Sequence, residues 1–212
     1  MKIAILLGLI GSVLPLFRQV LYPFSPVIAQ GGACAGYILI GAFFLLLYLH
    51  QREARLQRAA LSGLVAQVCA AGASAITCWW LANSDGNWSD FPERLARTQR
   101  VLGGLVARIG LCGFFGLLFS QDAGRHWNKL SGAIKTGVLA GGLGAVVSLV
   151  LMLCEFKGGI LPMMCEKWGL AISDAVKITN ILYLVPSASL VCFFALLYWK
   201  HPRGRDDLSQ TL

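Results

Sequence analysis

The sequence predicts an all-α integral membrane protein with six transmembrane helices. Six apolar stretches fill the chain: residues 3–22, 33–50, 60–82, 101–120, 134–156 and 179–199. Each is close to the roughly 20 residues that a helix needs to cross the hydrocarbon core of a bilayer. Of the 212 residues, 57% are apolar and only 13% are charged, so little remains for a soluble domain. We therefore expect one six-helix transmembrane domain over residues 1–200 and a short basic and polar tail over residues 201–212.

The first apolar stretch also has one property of a signal peptide, because Lys2 precedes an apolar core. The apolar run continues to Phe17, however, and no small-residue cleavage site follows closely. We interpret this stretch as a retained first helix.

The basic residues predict the orientation of the spans. If six spans alternate, one side of the membrane receives ten basic residues, namely Lys2, Arg52, Arg55, Arg58, Arg125, Lys129, Lys135, Lys200, Arg203 and Arg205. The other side receives six, namely Arg94, Arg97, Arg100, Lys157, Lys167 and Lys177. By the positive-inside tendency, both termini are expected in the cytoplasm, with a bacterial inner membrane as the expected location.

A short string, Phe-Phe-x-Leu-Leu-aromatic, recurs at residues 43–48, 114–119 and 193–198. Each copy lies at the end of an even-numbered span, on the predicted cytoplasmic side. Self-similarity at a regular interval is what repeated supersecondary units leave in a sequence. We interpret it as three tandem helical hairpins. Apolar span ends that finish in an aromatic belt also converge on such strings without a common origin.

Glycines predict how the helices pack, because small residues allow helix backbones to approach closely in a membrane. Gly137, Gly141 and Gly144 form a small-residue face in the fifth span. Such a face joins helices within one subunit or joins subunits to one another. Six short helices enclose little volume, so we expect a homo-oligomer.

Residues 161–177 have apolar side chains at steps of three or four, with polar residues on the other face. Pro162 stands near the start. This pattern predicts a short amphipathic helix in the membrane interface between spans 5 and 6. It would cover the bundle or contact another subunit.

Two arginines fall within predicted spans: Arg18 near the outer end of the first, and Arg108 in the outer half of the fourth. An arginine at the bilayer centre costs about 2.5–3.5 kcal/mol, so it normally faces a partner or a water-filled cavity. Glu155 is the carboxylate at comparable depth, and an Arg108–Glu155 ion pair is the first interpretation. On one continuous α-helix, Arg97 and Arg108 would share a face, and the second interpretation is an anion path.

Cysteine and histidine provide no recognisable metal or redox motif, and we expect neither a metal nor a cofactor. The seven cysteines contain no Cys-x-x-Cys pair. Cys154 and Cys165 both approach the outer surface in the predicted topology, and they are the candidates for a disulfide. The alternative is that cysteine serves as a small apolar packing residue.

The predicted cytoplasmic side carries a basic collar, which we define as Arg52, Arg55, Arg58, Arg125, Lys129, Lys200, Arg203 and Arg205. The first three are spaced by three residues, on roughly one helix face. Anionic lipid headgroups would bind such a collar. A cytosolic protein with an acidic surface would also fit, whereas direct nucleic-acid binding is not expected.

No hydrolase, zinc-protease, phosphate-loop or dinucleotide motif occurs in the chain. We therefore expect a non-enzymatic polytopic subunit that oligomerises and anchors, recruits or signals to a cytosolic partner. Bacterial secretion and phage-defence complexes use small membrane subunits of this architecture. The alternative is a small channel or facilitator for an anionic or small solute, with Arg108 in the pathway.

Overall fold

The computed structural model describes residues 1–21, 24–84, 92, 95, 97, 99–119, 132–156, 164–166, 169 and 171–200. The long helices are α1 (Lys2–Leu21), α2 (Pro26–His50), α3 (Ala54–Asn83), α4 (Ala107–Phe119), α5 (Gly132–Phe156) and α6 (Ile172–Lys200). A π-helix, Arg100–Val106, leads directly into α4. No strand occurs in these ranges.

Five of the helical segments are long and apolar enough to cross a membrane. They are Pro26–His50, Ala54–Asn83, Val101–Phe119, Gly132–Cys154 and Ile172–Lys200. These segments indicate an integral membrane protein, as the sequence predicts. The predicted first span corresponds to α1, which has 20 residues and is not among the five. Its crossing of the membrane belongs to the proposal below.

The six helices close into a ring. Each helix packs against the next one along the chain, and α6 packs back against α1. The π-helix contacts both α3 and α5. Because α2 packs against α3 as extensively as α1 packs against α2, the packing does not single out three separate hairpins. The tandem-hairpin interpretation therefore stays a prediction.

Six phenylalanines fill the centre of this ring at one end. They come in three adjacent pairs from α2, α4 and α6, and all are at most 2% exposed; they are Phe43, Phe44, Phe114, Phe115, Phe193 and Phe194. Every pair contacts both of the others edge-to-face. The links between pairs are Phe44–Phe114 at 4.8 Å, Phe115–Phe193 at 5.3 Å and Phe43–Phe194 at 4.8 Å between ring centroids. These residues begin the three Phe-Phe-x-Leu-Leu strings, which meet in one layer, here called the Phe cluster.

The apolar core around the Phe cluster joins the near ends of all six helices. It includes Ala4 of α1, Leu47 of α2, Leu56 of α3, Leu118 of α4, Ile134 of α5 and Leu197 of α6. The starts of odd-numbered helices therefore lie beside the ends of even-numbered ones. This arrangement confirms the prediction that the three strings lie on one side of the bundle.

Both prolines inside the helices lie against a glycine of a neighbouring helix. A Cβ atom at Gly36 of α2 would collide with Pro15 of α1, and one at Gly144 of α5 would collide with Ser189 and approach Pro186 of α6. Proline leaves a backbone carbonyl of its own helix without its usual N–H donor. Glycine lets the adjacent helix approach that region closely, so α1 and α6 keep their length despite the prolines.

The segment before α6 differs from the predicted interfacial helix over residues 161–177. Residues 164–166 form a helical turn, but Gly169 has a φ of +64° and ends any continuous helix there. Residues 172–177 are the first turns of the 29-residue α6. Nothing in the sequence between Lys177 and Thr179 breaks a helix, so the amphipathic start and the last span are one element.

The outward faces of the helices are apolar. On α5, Leu139, Leu143, Val146, Val150 and Leu153 are all exposed and follow one another at steps of three and four residues, so they form one face. Exposed apolar surface of this extent marks contact with lipid or with another protein. It agrees with a bundle that lies in a membrane.

Candidate functional site

The candidate site is Arg108, near the start of α4 and directly after a π-helix. The π-helix Arg100–Val106 contains Gly103 and Gly104. The N–H of Ala107, the first residue of α4, donates to the carbonyls of Leu102 and Gly104. Single π-helical turns are rare and are frequent at functional sites.

The side chain of Arg108 donates hydrogen bonds to two backbone carbonyl groups of the π-helix. Its Nη1 donates to the carbonyl of Gly103 at 3.1 Å and to that of Gly104 at 2.9 Å. The side chain is half-buried. The two carbonyls replace part of the water that would otherwise accept hydrogen bonds from the guanidinium. This lowers the free-energy cost of placing an arginine in a membrane.

The two glycines also fix the position of the segment between its neighbours. A Cβ atom at Gly103 would collide with Ala73 of α3, and one at Gly104 would collide with Met152 of α5. The π-helix therefore lies between α3 and α5. At Gly103 a larger residue would require the backbones to move apart, because Cβ of Ala73 has no rotational freedom, whereas at Gly104 it would displace the end of the flexible Met152 side chain. Arg108 comes two residues after this π-helix.

The structure corrects one premise about Arg108. The anion path assumed that Arg97 and Arg108 share one face of a continuous α-helix. The π-helix between them has a different periodicity, because its hydrogen bonds run between residues five apart instead of four. The eleven-residue spacing therefore does not align the two arginines, and the anion path loses the support of a shared face.

The predicted partner of Arg108 is Glu155, in the last turns of α5. Its side chain lies outside the described part of the structure, so the ion pair stays a prediction. Arg18 lies in the last turn of α1 and is half-buried. A cation there is stabilised by the helix dipole.

The basic collar is divided by the structure. Arg52 precedes the first residue of α3 and is exposed, and Arg58 is exposed on the first turns of that helix. The side chain of Arg55 is only 13% exposed, and its Nε lies 3.3 Å from Oε1 of Glu53. The three arginines do not form one face, because the helix begins only at Ala54. Arg52 and Arg58 are available for contacts, whereas Arg55 is a packing residue.

Lys200 is the other described member of the collar. It is exposed, and its Nζ lies 4.3 Å from the centre of the Trp199 ring. Lys2 lies near the same end, with its Nζ 5.6 Å from the Tyr198 ring. Arg125, Lys129, Arg203 and Arg205 lie outside the described residues.

The glycine face of α5 is used inside the subunit. Gly137 packs against Phe193 and Leu196 of α6, Gly141 against Phe115 of α4, and Gly144 against α6. All three are buried. Gly137 and Gly141 therefore pack against two of the three pairs in the Phe cluster. Because all three glycines are in contact with helices of the same subunit, this face is not available for contacts between subunits.

Cys154 and Cys165 are free thiols in the structure, as are the other five cysteines. Both are half-buried, and both pack against a small apolar cluster of Leu151, Met164 and Ala175. The predicted disulfide is therefore not formed here, and the two residues act as apolar packing residues. Among the described residues, no group of three or more His, Cys, Asp or Glu side chains has a metal-binding arrangement.

Two buried amides were not among the residues predicted from the sequence. Gln30 of α2 and Gln67 of α3 are 1% and 2% exposed, and Oε1 of each has no hydrogen-bond donor among the described groups. Thr77, also buried, donates to the carbonyl of Ala73 at 2.9 Å. A glutamine within an otherwise apolar span is a signal that would have identified Gln67, whereas Gln30 precedes the predicted second span and became visible only because α2 begins at Pro26.

At the Phe-cluster end, Gln51 is also buried. Both atoms of its side-chain amide are without a hydrogen-bond partner in the described structure, while its backbone carbonyl accepts from Nε2 of Gln57 at 2.7 Å. Buried amides need hydrogen-bond partners. The connection from α2 to α3 is therefore the most polar part of the described interior next to the Phe cluster.

No family model, no curated protein and no solved structure matches this chain.

Proposed function

We propose that this protein is a non-enzymatic, six-span membrane subunit that recruits or signals to a cytosolic partner through the basic collar. In this proposal α1 also crosses the membrane, and with the five segments described above the chain has six spans. Both termini lie on the cytoplasmic side of a bacterial inner membrane, since the basic excess belongs to the Phe-cluster end.

One observation carries the proposal. Arg52, Arg58 and Lys200 are exposed at the end of the bundle whose centre is filled by the Phe cluster. Six mutually packed phenylalanines fill the centre of the described bundle beneath these cations. A cationic surface over an apolar core favours contacts with an external partner over passage of a solute.

The partner that fits is a protein with an acidic surface. Complementary charge raises the rate of encounter and suppresses wrong partners. Anionic headgroups would compete for the same residues and contribute about 1 kcal/mol per basic residue near the membrane surface. The collar would thus bind lipid in the resting state and exchange it for the partner.

Self-association is part of the proposal. Because the glycines of α5 pack inside the subunit, a second copy would have to bind through the outward apolar faces. The analogy with bacterial secretion and phage-defence complexes concerns architecture only, since small polytopic subunits in such machines also expose little outside the membrane.

The test is purification of the tagged full-length chain from native membranes, followed by measurement of particle mass and composition. We expect more than one copy of the chain and a stoichiometric cytosolic companion. Arg52→Glu combined with Arg58→Glu should release the companion without disturbing membrane insertion. Lys177→Glu, an exposed cation of α6 that pairs with Asp174 away from the Phe cluster, is the control and should retain it. Retention of the companion by the double variant would refute recruitment through the collar.

A second function, a channel or facilitator for an anionic or small solute, is favoured by the half-buried Arg108 beside the π-helix. Conduction would require the Phe cluster to open, because apolar constrictions block ions and water when closed. Arg108→Ala in proteoliposomes should then change flux or selectivity with expression intact. Unchanged flux would leave Arg108 a structural residue and remove this alternative.

A further inference from the structure

A groove on the membrane-facing side of α3 and α4 is distinct from the site around Arg108. Its volume is about 350 Å³. The walls are apolar side chains from both helices, Leu61 and Val65 of α3 with Val106 and Ile109 at the junction of the π-helix and α4. The floor is Ser62 and Gly110, and Arg58 lies at one end.

The floor is closed because the two helices touch there. Oγ of Ser62 donates to the carbonyl of Gly110 at 2.8 Å. A Cβ atom at Gly110 would lie only 2.8 Å from the carbonyl oxygen of Ser62 and from Cβ of Ala66. The groove is therefore a surface furrow with a small-residue floor and cannot deepen into the bundle.

The walls of the groove remain open to the membrane. Leu61, Val65 and Ile109 are each about half exposed, at 47%, 46% and 53%. Arg58, Leu61, Ser62 and Val65 follow at helical spacing, so they share one side of α3. With a rise of 1.5 Å per residue, the furrow runs about 10 Å along the helix, from the membrane surface toward its interior.

We infer that this groove binds one anionic phospholipid of the leaflet at the Phe-cluster end. The charge complementarity is the argument: an exposed guanidinium stands at the surface end of an apolar furrow, and an anionic phospholipid combines a phosphate with an acyl chain in the same order. The headgroup phosphate pairs with Arg58, and one acyl chain lies between Val65 and Ile109. This is a defined site, whereas the collar as a whole attracts headgroups without fixing them.

The test measures lipid retained by the full-length protein in detergent, by native mass spectrometry. The probes are phosphatidylglycerol and phosphatidylcholine with identical acyl chains. We expect one phosphatidylglycerol to bind about fivefold more tightly than phosphatidylcholine, the factor for one basic residue at a membrane surface. Arg58→Gln should abolish that preference, and Lys2→Gln, a cation at the same end of the bundle but outside both the collar and the groove, should keep it.

Filling the furrow tests the acyl-chain contact. Val65→Trp should weaken binding of both lipids about tenfold, while Val68→Trp, on an exposed position of the same helix outside the groove, should not. Ile109→Phe is a second filling variant in case Val65→Trp does not fold. Equal loss of preference in Arg58→Gln and Lys2→Gln would overturn the inference, as would unchanged binding in both filling variants. Neither of these results would bear on the recruitment of a cytosolic partner, because that proposal is tested by the composition of the particle purified from native membranes.

Discussion

Phe43 of α2 and Phe194 of α6 pack edge-to-face with their ring centroids 4.8 Å apart and their planes at 86°. This contact joins the last helix to the first half of the chain and closes the Phe cluster. The two residues occupy different positions in their strings, the first Phe of one copy against the second Phe of another. The three strings are therefore arranged around a common centre, and each contributes its first Phe to one neighbour and its second Phe to the other. No single helix or hairpin could form this arrangement.

Truncation of the Phe cluster should be costly. Phe43→Ala removes a fully buried ring that contacts Phe44 and Phe194. Cavities of this size lower the free energy of unfolding by about 3–5 kcal/mol. Thermal unfolding of the detergent-solubilised protein would measure the change. Phe17→Ala, at a position 51% exposed, is the control and should change stability little, and equal effects of the two would show that the cluster is not a core.

Two glycines of α2, one turn apart, should respond oppositely to alanine. A Cβ at Gly36 would lie 2.6 Å from the carbonyl oxygen of Gly11 and 2.8 Å from Cδ of Pro15. Gly36→Ala should therefore separate α1 from α2 and destabilise the protein by about 1–3 kcal/mol. Nothing lies within 4 Å of a Cβ at Gly32, so Gly32→Ala should be neutral or stabilising by up to about 1 kcal/mol. Equal melting temperatures for the two variants would contradict the packing of α1 against α2.

Arg108 should contribute to stability through its two carbonyl contacts. Replacement by Met keeps the length of the chain but removes the donors to Gly103 and Gly104. Hydrogen bonds from charged groups are worth about 1.5–3 kcal/mol, and we expect a loss of this order in unfolding experiments in detergent. Arg52→Met, at an exposed position, is the control. A loss in neither variant would mean that the π-helix does not depend on the guanidinium.

Arg55 and Arg58 should differ although they are one helical turn apart. Arg55→Glu would bring two carboxylates together at Glu53 in a region where the arginine side chain is only 13% exposed. We expect it to lower the free energy of unfolding by about 1–3 kcal/mol. Arg58→Glu, on the exposed side, should leave stability nearly unchanged. If both variants were equally stable, the division of the collar into a packing residue and two contact residues would be wrong.

Much of this fold is encoded locally. The apolar stretches predict all six long helices, because a helix is the one local structure that satisfies its own backbone in a membrane. The recurrence of Phe-Phe-x-Leu-Leu predicts that the ends of α2, α4 and α6 lie on one side of the bundle, and they do. The small residues at Gly137, Gly141 and Gly144 predict close helix packing, and the structure has it within the subunit.

The features that the sequence did not predict depend on neighbours. The π-helix before Arg108 packs closely against neighbouring helices, with Gly103 beside Ala73 and Gly104 beside Met152, and these contacts join residues far apart in the sequence. The inward position of Arg55 depends on where α3 begins. Residues 172–177 are continuous with α6, and the helical turn at 164–166 is separated from them by Gly169 with its positive φ, a division that the period of the apolar residues does not show.

The sequence by itself therefore determined the class of protein, the number of long helices and their approximate places in the chain, because these follow from hydropathy and length. Only the tertiary structure decided where α2, α3 and α6 begin, which charges face outward, which glycines are consumed in packing, and that three distant phenylalanine pairs meet in one core layer. Those properties belong to pairs of residues on different helices, and no single stretch of sequence contains both members of such a pair.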